Sequence, residues 1–371
     1  MDQNLIAWAI PFFFVLIAIE VVVARKRGLT IYRFEDALTC MGCGITQQVV
    51  LIAQQAALLG LYVLVWTHFA LVDFDTGPTT WIVSLLLVDF IYYWWHRLSH
   101  GINFLWAAHV VHHQSEDYNL AVALRQSMLT STTSLPFYLP MAVLGIPPVI
   151  YAASRGINTV YQFWVHTELV RSTGPLEAVL NTPSHHRVHH GINPRYLDKN
   201  HAGMLIIWDR MFGTFEPETE PVVYGVVAPL GTYNAVSANW KPLTDLWALS
   251  RSATRWQDRL KAFVMDPPWR PDGPPKTAPE VDRATFEKFE LHASKRGRVW
   301  ATLNFVLTGT GLFLLLLLWP SLQGWTAALA AGFVFTGPLA WGGLFHARRW
   351  VPPLELARWG TALYLLALLF L

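Results

Sequence analysis

"WIVSLLLVDFIYYWWHRLSH" occupies residues 81–100 and is apolar up to Trp95 apart from Ser84 and Asp89. A bilayer core takes about 20 apolar residues per helix, and residues 81–95 read as a membrane-spanning run that ends at His96. His96 and His100 stand four apart, which on a helix puts both rings on one face. Asp89 lies seven residues before His96, two turns back on that face. An acid inside a span is costly and by default functional, so Asp89 is a candidate to support one of these histidines.

The rest of the chain repeats the theme. Of its 371 residues 53% are hydrophobic and only 14% charged, against roughly 25% charged in an ordinary soluble domain. Its 18 tryptophans suit a membrane interface, and a net charge of +2 gives no sign of a nucleic-acid surface. "LIAWAIPFFFVLIAIEVVVA" (5–24) is followed by Arg25, Lys26 and Arg27. A signal peptide carries its charges before the apolar run, so 5–24 reads as an uncleaved span. A second span covers 49–72, and residues 128–166 read as a hairpin of two apolar segments bent at "GIPP" (145–148). After a polar stretch, 300–320, 325–345 and 354–371 are further spans. The fold expected is an all-α integral membrane protein, a multi-span helical bundle.

Positive charge marks the cytoplasmic ends of spans. With Arg25, Lys26 and Arg27 inside, the second span goes out and the third returns, which brings His96 to the cytoplasmic face. The 128–166 hairpin dips and returns, so His166 arrives there too, as do the basic segments "SKRGR" (294–298) and "HARRW" (346–350). Residues 266–280 are proline-rich and read as a linker, and 281–298 as a short charged helix. The expected division is 1–280, a membrane-embedded unit with its cytoplasmic segment, and 281–371, the charged helix with the last spans. Cys40 and Cys43 form a lone CxxC with no second ligand pair, too little for a zinc site or a disulfide framework.

Ten of the 14 histidines fall between 96 and 190. His109, His112 and His113 are spaced i, i+3, i+4, and His186, His189 and His190 repeat the pattern. Each set shares one helix face, so three helix ends close around a cluster. Neutral imidazole suits iron, zinc, copper or nickel. Eight or nine donors are too many for one ion, which implies two metals. His68, His292 and His346 fall outside the pattern and read as ordinary histidines. His201 follows "LDKN" and is a candidate neighbour of the site.

HRLSH (96–100), HVVHH (109–113) and HRVHH (186–190) resemble the HxxxH, HxxHH and HxxHH boxes of the fatty acid hydroxylase (sterol desaturase) superfamily of membrane non-haem di-iron oxygenases, over roughly residues 80–215. "QFWVHTELV" (162–170) and residues 181–218 are most similar to the branch that oxidises alkylglycerol ether lipids with tetrahydrobiopterin. The resemblance implies His96, His100, His109, His112, His113, His186, His189 and His190 as iron ligands, with His166 as a ninth. Some members carry a further histidine four positions after His166, where this chain has Val170. His185 stands i, i+4 from His189, so spacing alone leaves it open as a ligand, with an outer role beside the box favoured. Asp89, Glu168 and Asp198 are candidates to hold ligand histidines by hydrogen bonds, as metal-bound imidazoles usually require, and Asp209 is a further acid after the last box. Arg125 reads as a contact to a lipid headgroup or a membrane-surface anchor. Asn193, Lys199 and Asn200 share in the resemblance without an assigned role.

The implied chemistry is O2-dependent hydroxylation of a lipid at the carbon beside an ether oxygen, releasing a fatty aldehyde. Two iron ions are the cofactor, tetrahydrobiopterin is the implied reductant, and electrons come from an external donor, since no flavin, haem or GxGxxG signature stands out. Another lipid hydroxylase or a sterol desaturase-like oxidase is the alternative within the superfamily. A metal transporter is the alternative outside it, disfavoured because transporters hold ions near the bilayer midplane.

Overall fold

The computed structural model describes residues 2–322 and 324–368. Among them there is no β-strand, only isolated bridges pairing Leu180 with Leu205 and Gly191 with Tyr224. The helices are α1 (Asp2–Lys26), α2 (Phe34–Phe69), α3 (Pro78–Gly101), α4 (Asn103–His113), α5 (Thr130–Leu144), α6 (Pro148–Tyr161), α7 (Pro183–His189), α8 (Ile207–Met211), α9 (Ala235–Ser252), α10 (Trp256–Val264), α11 (Lys295–Leu318), α12 (Gly324–Phe345) and α13 (Val351–Leu368). Among the described residues, three helices are long and apolar enough to cross a membrane: α2, α11 continued to Ser321, and α12. Large apolar side chains stand exposed along α1 (Val15, Ile19, Val22), α2 (Leu61, Leu64), α3 (Ile82, Leu86) and α11 (Leu303, Val306). Such continuous apolar exposure suits a lipid-facing surface.

Each expected span falls on a helix, but α2 ends at Phe69, three residues short of the expected 49–72, and residues 369–371 of the last span lie outside the described residues. α2 starts fifteen residues before the expected second span and, at 36 residues, is about 54 Å long, well over a bilayer core. Its first third is buried, from Glu35 and Asp36 through Cys40, Cys43 and Thr46. The CxxC therefore sits on a helix inside the protein, with both thiols free. α5 and α6 form the expected hairpin. At 15 and 14 residues, or about 22 Å each, neither crosses a bilayer alone. Gly145 turns the chain between them at φ +103°, where a Cβ would lie 1.8 Å from the Val72 carbonyl oxygen. Tyr62 of α2 stacks on Tyr151 of α6, ring centres 4.1 Å apart, and donates to the Ile146 carbonyl at 3.1 Å. α11 and α12 pack on α2 through Leu38, Ile45, Leu312, Leu315, Phe333 and Trp341.

The charged helix expected at 281–298 does not form. Residues 281–294 lack helix, and α11 starts at Lys295 with Ser294 capping the Gly297 N–H. The segment's peptide groups have partners elsewhere. Phe289 N–H donates to Glu116 Oε2 (2.6 Å), while the Phe289 carbonyl accepts from Arg33 and Tyr233 (2.6 and 2.7 Å). Ala293 N–H donates to Glu35, and Lys288 pairs with Asp117. These contacts outweigh a helix propensity worth only tenths of a kcal/mol per residue.

Candidate metal centre

α3 brings in His96 and His100, and α4 follows after the single residue Ile102, so its three histidines fold back against the same space. α7, started by Pro183 in its first turn, supplies His186 and His189 and is capped by His190. His166 enters from the segment after α6. The nine imidazoles sort into two sets whose ligand atoms lie within 4.8 Å of one another: His96, His100, His109, His113 and His189; and His112, His166, His186 and His190. Each HxxHH box straddles the two. α4 gives its i, i+4 pair to the first set and its middle histidine to the second, and α7 does the reverse.

None of the nine is more than 7% exposed, so water does not satisfy their nitrogens. Backbone carbonyls fix several rings from behind. Nδ1 of His96 donates to the His201 carbonyl (2.7 Å), of His112 to Arg125 (3.0 Å), of His166 to Gln162 (2.7 Å) and of His189 to Lys199 (2.9 Å). His100 Nδ1 lies 3.4 Å from Asp198 Oδ1. A carbonyl can only accept, so these Nδ1 atoms carry the proton and a neutral ring leaves Nε2 as a bare lone pair. Yet Nε2 of His112 and Nε2 of His166 face each other at 3.2 Å. Similar approaches link His96 to His109 (2.9 Å), His109 to His113 (3.1 Å), His166 to His186 (3.0 Å) and His186 to His190 (3.2 Å). Two ligands at right angles on one ion, each about 2.1 Å away, lie about 3.0 Å apart. Lone pairs held this close in a dry site repel unless a cation sits between them. His100 Nε2, His186 Nδ1 and His189 Nε2 are also buried with no partner. The residues present fit two metal ions.

The rings are neutral at physiological pH, as ligation requires. Burial first, then neighbouring imidazoles, push His109, His113, His186, His189 and His190 well below the ordinary histidine range. Burial takes His112 down to about 4.

The acids behave differently from one another. Asp198 lies beside His100, its Oδ1 3.4 Å from Nδ1. Asp89 touches no histidine. It accepts from Asn158 Nδ2 (2.7 Å), Met204 and Leu205 N–H (2.7 and 3.0 Å) and Trp208 Nε1 (2.8 Å). It thereby ties α3 to the 201–208 segment whose His201 carbonyl holds His96. Glu168 points away and pairs with Arg283 at 2.8 Å. His185 stands outside both sets, with Thr182 Oγ1 3.5 Å from its Nδ1 and Phe215 against its ring. Arg125 is no headgroup contact. It is 1% exposed and donates to the Val111 carbonyl (2.7 Å) and Gln114 Oε1 (3.0 Å), fixing the turn of α4 that carries His112.

Sequence reasoning missed Arg187, inside the HRVHH box. It is clamped by Glu218 and donates to the carbonyls of Thr167, Val170 and Arg171, locking α7 onto the His166 segment. Its position inside an otherwise ligand-bearing box was the available signal. Lys199 and Asn200 also gain roles: the Lys199 carbonyl holds His189, and Asn200 Nδ2 donates to the carbonyls of His185 and Glu216. Asn193 accepts from Val223 N–H and donates to Glu220. His68, His292 and His346 lie elsewhere, on the Leu64 carbonyl, beside Glu290 and against Thr232 respectively.

A helical protein with lipid-type apolar surfaces and two buried all-histidine clusters defines the class: a membrane-associated protein whose histidines could bind metal. Comparison with known proteins gives the family. Residues 81–214 match the fatty acid hydroxylase domain. The chain is 40% identical over 305 residues to the alkylglycerol monooxygenase of Homo sapiens, covering 81% of this chain and 68% of that protein. It is 43% identical over 269 residues to the alkylglycerol monooxygenase of Danio rerio, covering 72% and 60%. It is 26% identical over 141 residues to an ornithine lipid hydroxylase of Rhizobium tropici, covering 38% and 43%. No solved structure matches the chain. The chain belongs to the fatty acid hydroxylase superfamily, in its alkylglycerol monooxygenase family.

Proposed function

We propose that this chain is an oxygen-dependent lipid monooxygenase that holds two iron ions in its histidine sets and oxidises the ether-adjacent carbon of alkylglycerols. The observation that carries the metal reading is the bare Nε2 pair of His112 and His166 at 3.2 Å. The human and zebrafish relatives support the substrate class. Bound there, iron supplies the activation of O2 that an unactivated C–H bond demands. The nine imidazoles bind and orient the ions, and Asp198 with the carbonyls of Gln162, Arg125, Lys199 and His201 fixes the ring orientations. The dry surroundings keep solvent from the oxidation step. Adding one oxygen atom beside the ether oxygen gives a hemiacetal, and its breakdown yields a fatty aldehyde and glycerol. The second oxygen atom leaves as water, taking two electrons and two protons from an external donor, for which we propose tetrahydrobiopterin.

The site lies at the cytoplasmic face in this reading. Arg25 and Lys26 in the last turn of α1, Lys295 and Arg296 at the start of α11, and Arg348 and Arg349 between α12 and α13 support that orientation. Residues 1–280 form the oxygenase unit and 281–371 a C-terminal addition.

The test is a product assay on iron-loaded protein in lipid nanodiscs, given a 1-O-alkylglycerol and O2 with and without tetrahydrobiopterin, with fatty aldehyde read by mass spectrometry. Pterin-dependent aldehyde is expected. A stable hydroxylated or desaturated lipid without cleavage would instead assign a different reaction of the superfamily.

A further inference from the structure

His201 is buried to 1% exposure, and neither ring nitrogen has a hydrogen-bond partner. Among the described residues, the other imidazole nitrogens left orphaned in this way are His100 Nε2, His186 Nδ1 and His189 Nε2, all on rings of the two histidine sets. The His201 ring centre lies 5.1 Å from that of His100, 5.7 Å from His189 and 5.8 Å from His96, so three members of the five-histidine set surround it. A buried imidazole nitrogen with no partner is destabilising.

Its surroundings are built to hold the ring in place. Asp209, fully buried, accepts from the N–H groups of His201 and Ala202 (2.7 and 2.8 Å) and from Thr214 Oγ1 (2.6 Å). The same carboxylate lies 3.7 Å from His201 Nδ1, a small ring rotation from a hydrogen bond. Closed, that contact is the carboxylate–imidazole arrangement that orients metal ligands, and it leaves Nε2 without a partner in the protein.

Resting on the two-metal reading above, we propose that His201 is a tenth imidazole of the centre, donating Nε2 to the ion held by His96, His100, His109, His113 and His189, with Asp209 as its positioning residue.

The test is His201→Phe, which keeps the ring's volume and the backbone carbonyl that holds His96 but removes the nitrogens. His201→Asn, which keeps a polar donor, is the companion variant. Both are purified full-length in nanodiscs, titrated with ferrous iron alone, and compared with wild type by iron content and Mössbauer spectroscopy. His201→Phe is expected to need roughly 10–100-fold more free iron for saturation and to alter one of two ferrous signals while leaving the other in place, with His201→Asn affected less. Wild-type iron affinity and two unchanged signals in a folded His201→Phe protein would overturn the assignment of His201 and leave the two-metal reading standing. Wild-type protein that takes up no iron would overturn both.

Discussion

His166 and His185 are both buried histidines, and the partners of their rings separate them. His166 has its Nδ1 on the Gln162 carbonyl and its Nε2 against His112 and His186, whereas His185 meets Thr182 and Phe215. His166→Ala should lower bound iron and cut aldehyde formation by roughly 100-fold or more. His185→Ala should keep both ions. Iron analysis of the two purified variants checks this, and equal losses would contradict the division. The depressed imidazoles also set a pH dependence. Their folded values lie below the ordinary one, so the stability they permit is present above about pH 6.5. It falls away as pH drops toward the folded value, about 4 for His112, because the unfolded chain takes up protons that the folded one does not. Each ring contributes up to about 1.4 kcal/mol per pH unit. Thermal melts of metal-free protein should therefore fall steeply from pH 6.5 downward, and a flat profile would contradict neutral buried rings. At this scale the sequence was partly legible. Imidazoles at i, i+3 and i+4 announce a shared face, but carbonyl partners such as those of Gln162 and Lys199 are backbone atoms that any residue supplies. Asp89 was readable as a functional acid inside a span, yet its four donors come from residues 69 to 119 positions away, a distance no local pattern encodes.

Helices, turns and the segments between them decide how well the rings are held. Gly145 lets α5 and α6 turn under Val72. Gly145→Ala combines an unfavourable φ with a steric clash, and should destabilise the protein by at least about 1–3 kcal/mol, read as a lowered thermal midpoint with the iron content of the surviving folded fraction unchanged. Arg187 works on the opposite side. Arg187→Lys keeps the charge but loses the planar fork on Glu218 and the reach to three carbonyls. Iron affinity should fall about 10-fold, with the effect concentrated on the set containing His166 and His186. The helical spans themselves were legible from apolar length. The segment 281–294 was not, because its composition favours helix while its partners (Arg33, Glu35, Glu116 and Asp117) are side chains far away in sequence.

Across the whole molecule, the two histidine sets join α3, α4, α7 and the His166 segment. Anything that binds only the folded state adds RT ln(1 + [L]/Kd), about 4 kcal/mol at a thousandfold excess over Kd. Chelating the iron should lower the thermal midpoint, and re-addition should restore it in a concentration-dependent way.

The crossed sharing of the two HxxHH boxes couples the two sets energetically. Because α4 and α7 each serve both sets, an ion held in one set would fix the rings' helices for the other. Loading then becomes positively cooperative. In a ferrous titration followed by native mass spectrometry, the one-iron species should stay scarce beside the empty and two-iron forms. The protein would behave as an all-or-none switch between an idle and an armed enzyme, responding sharply to cellular iron supply.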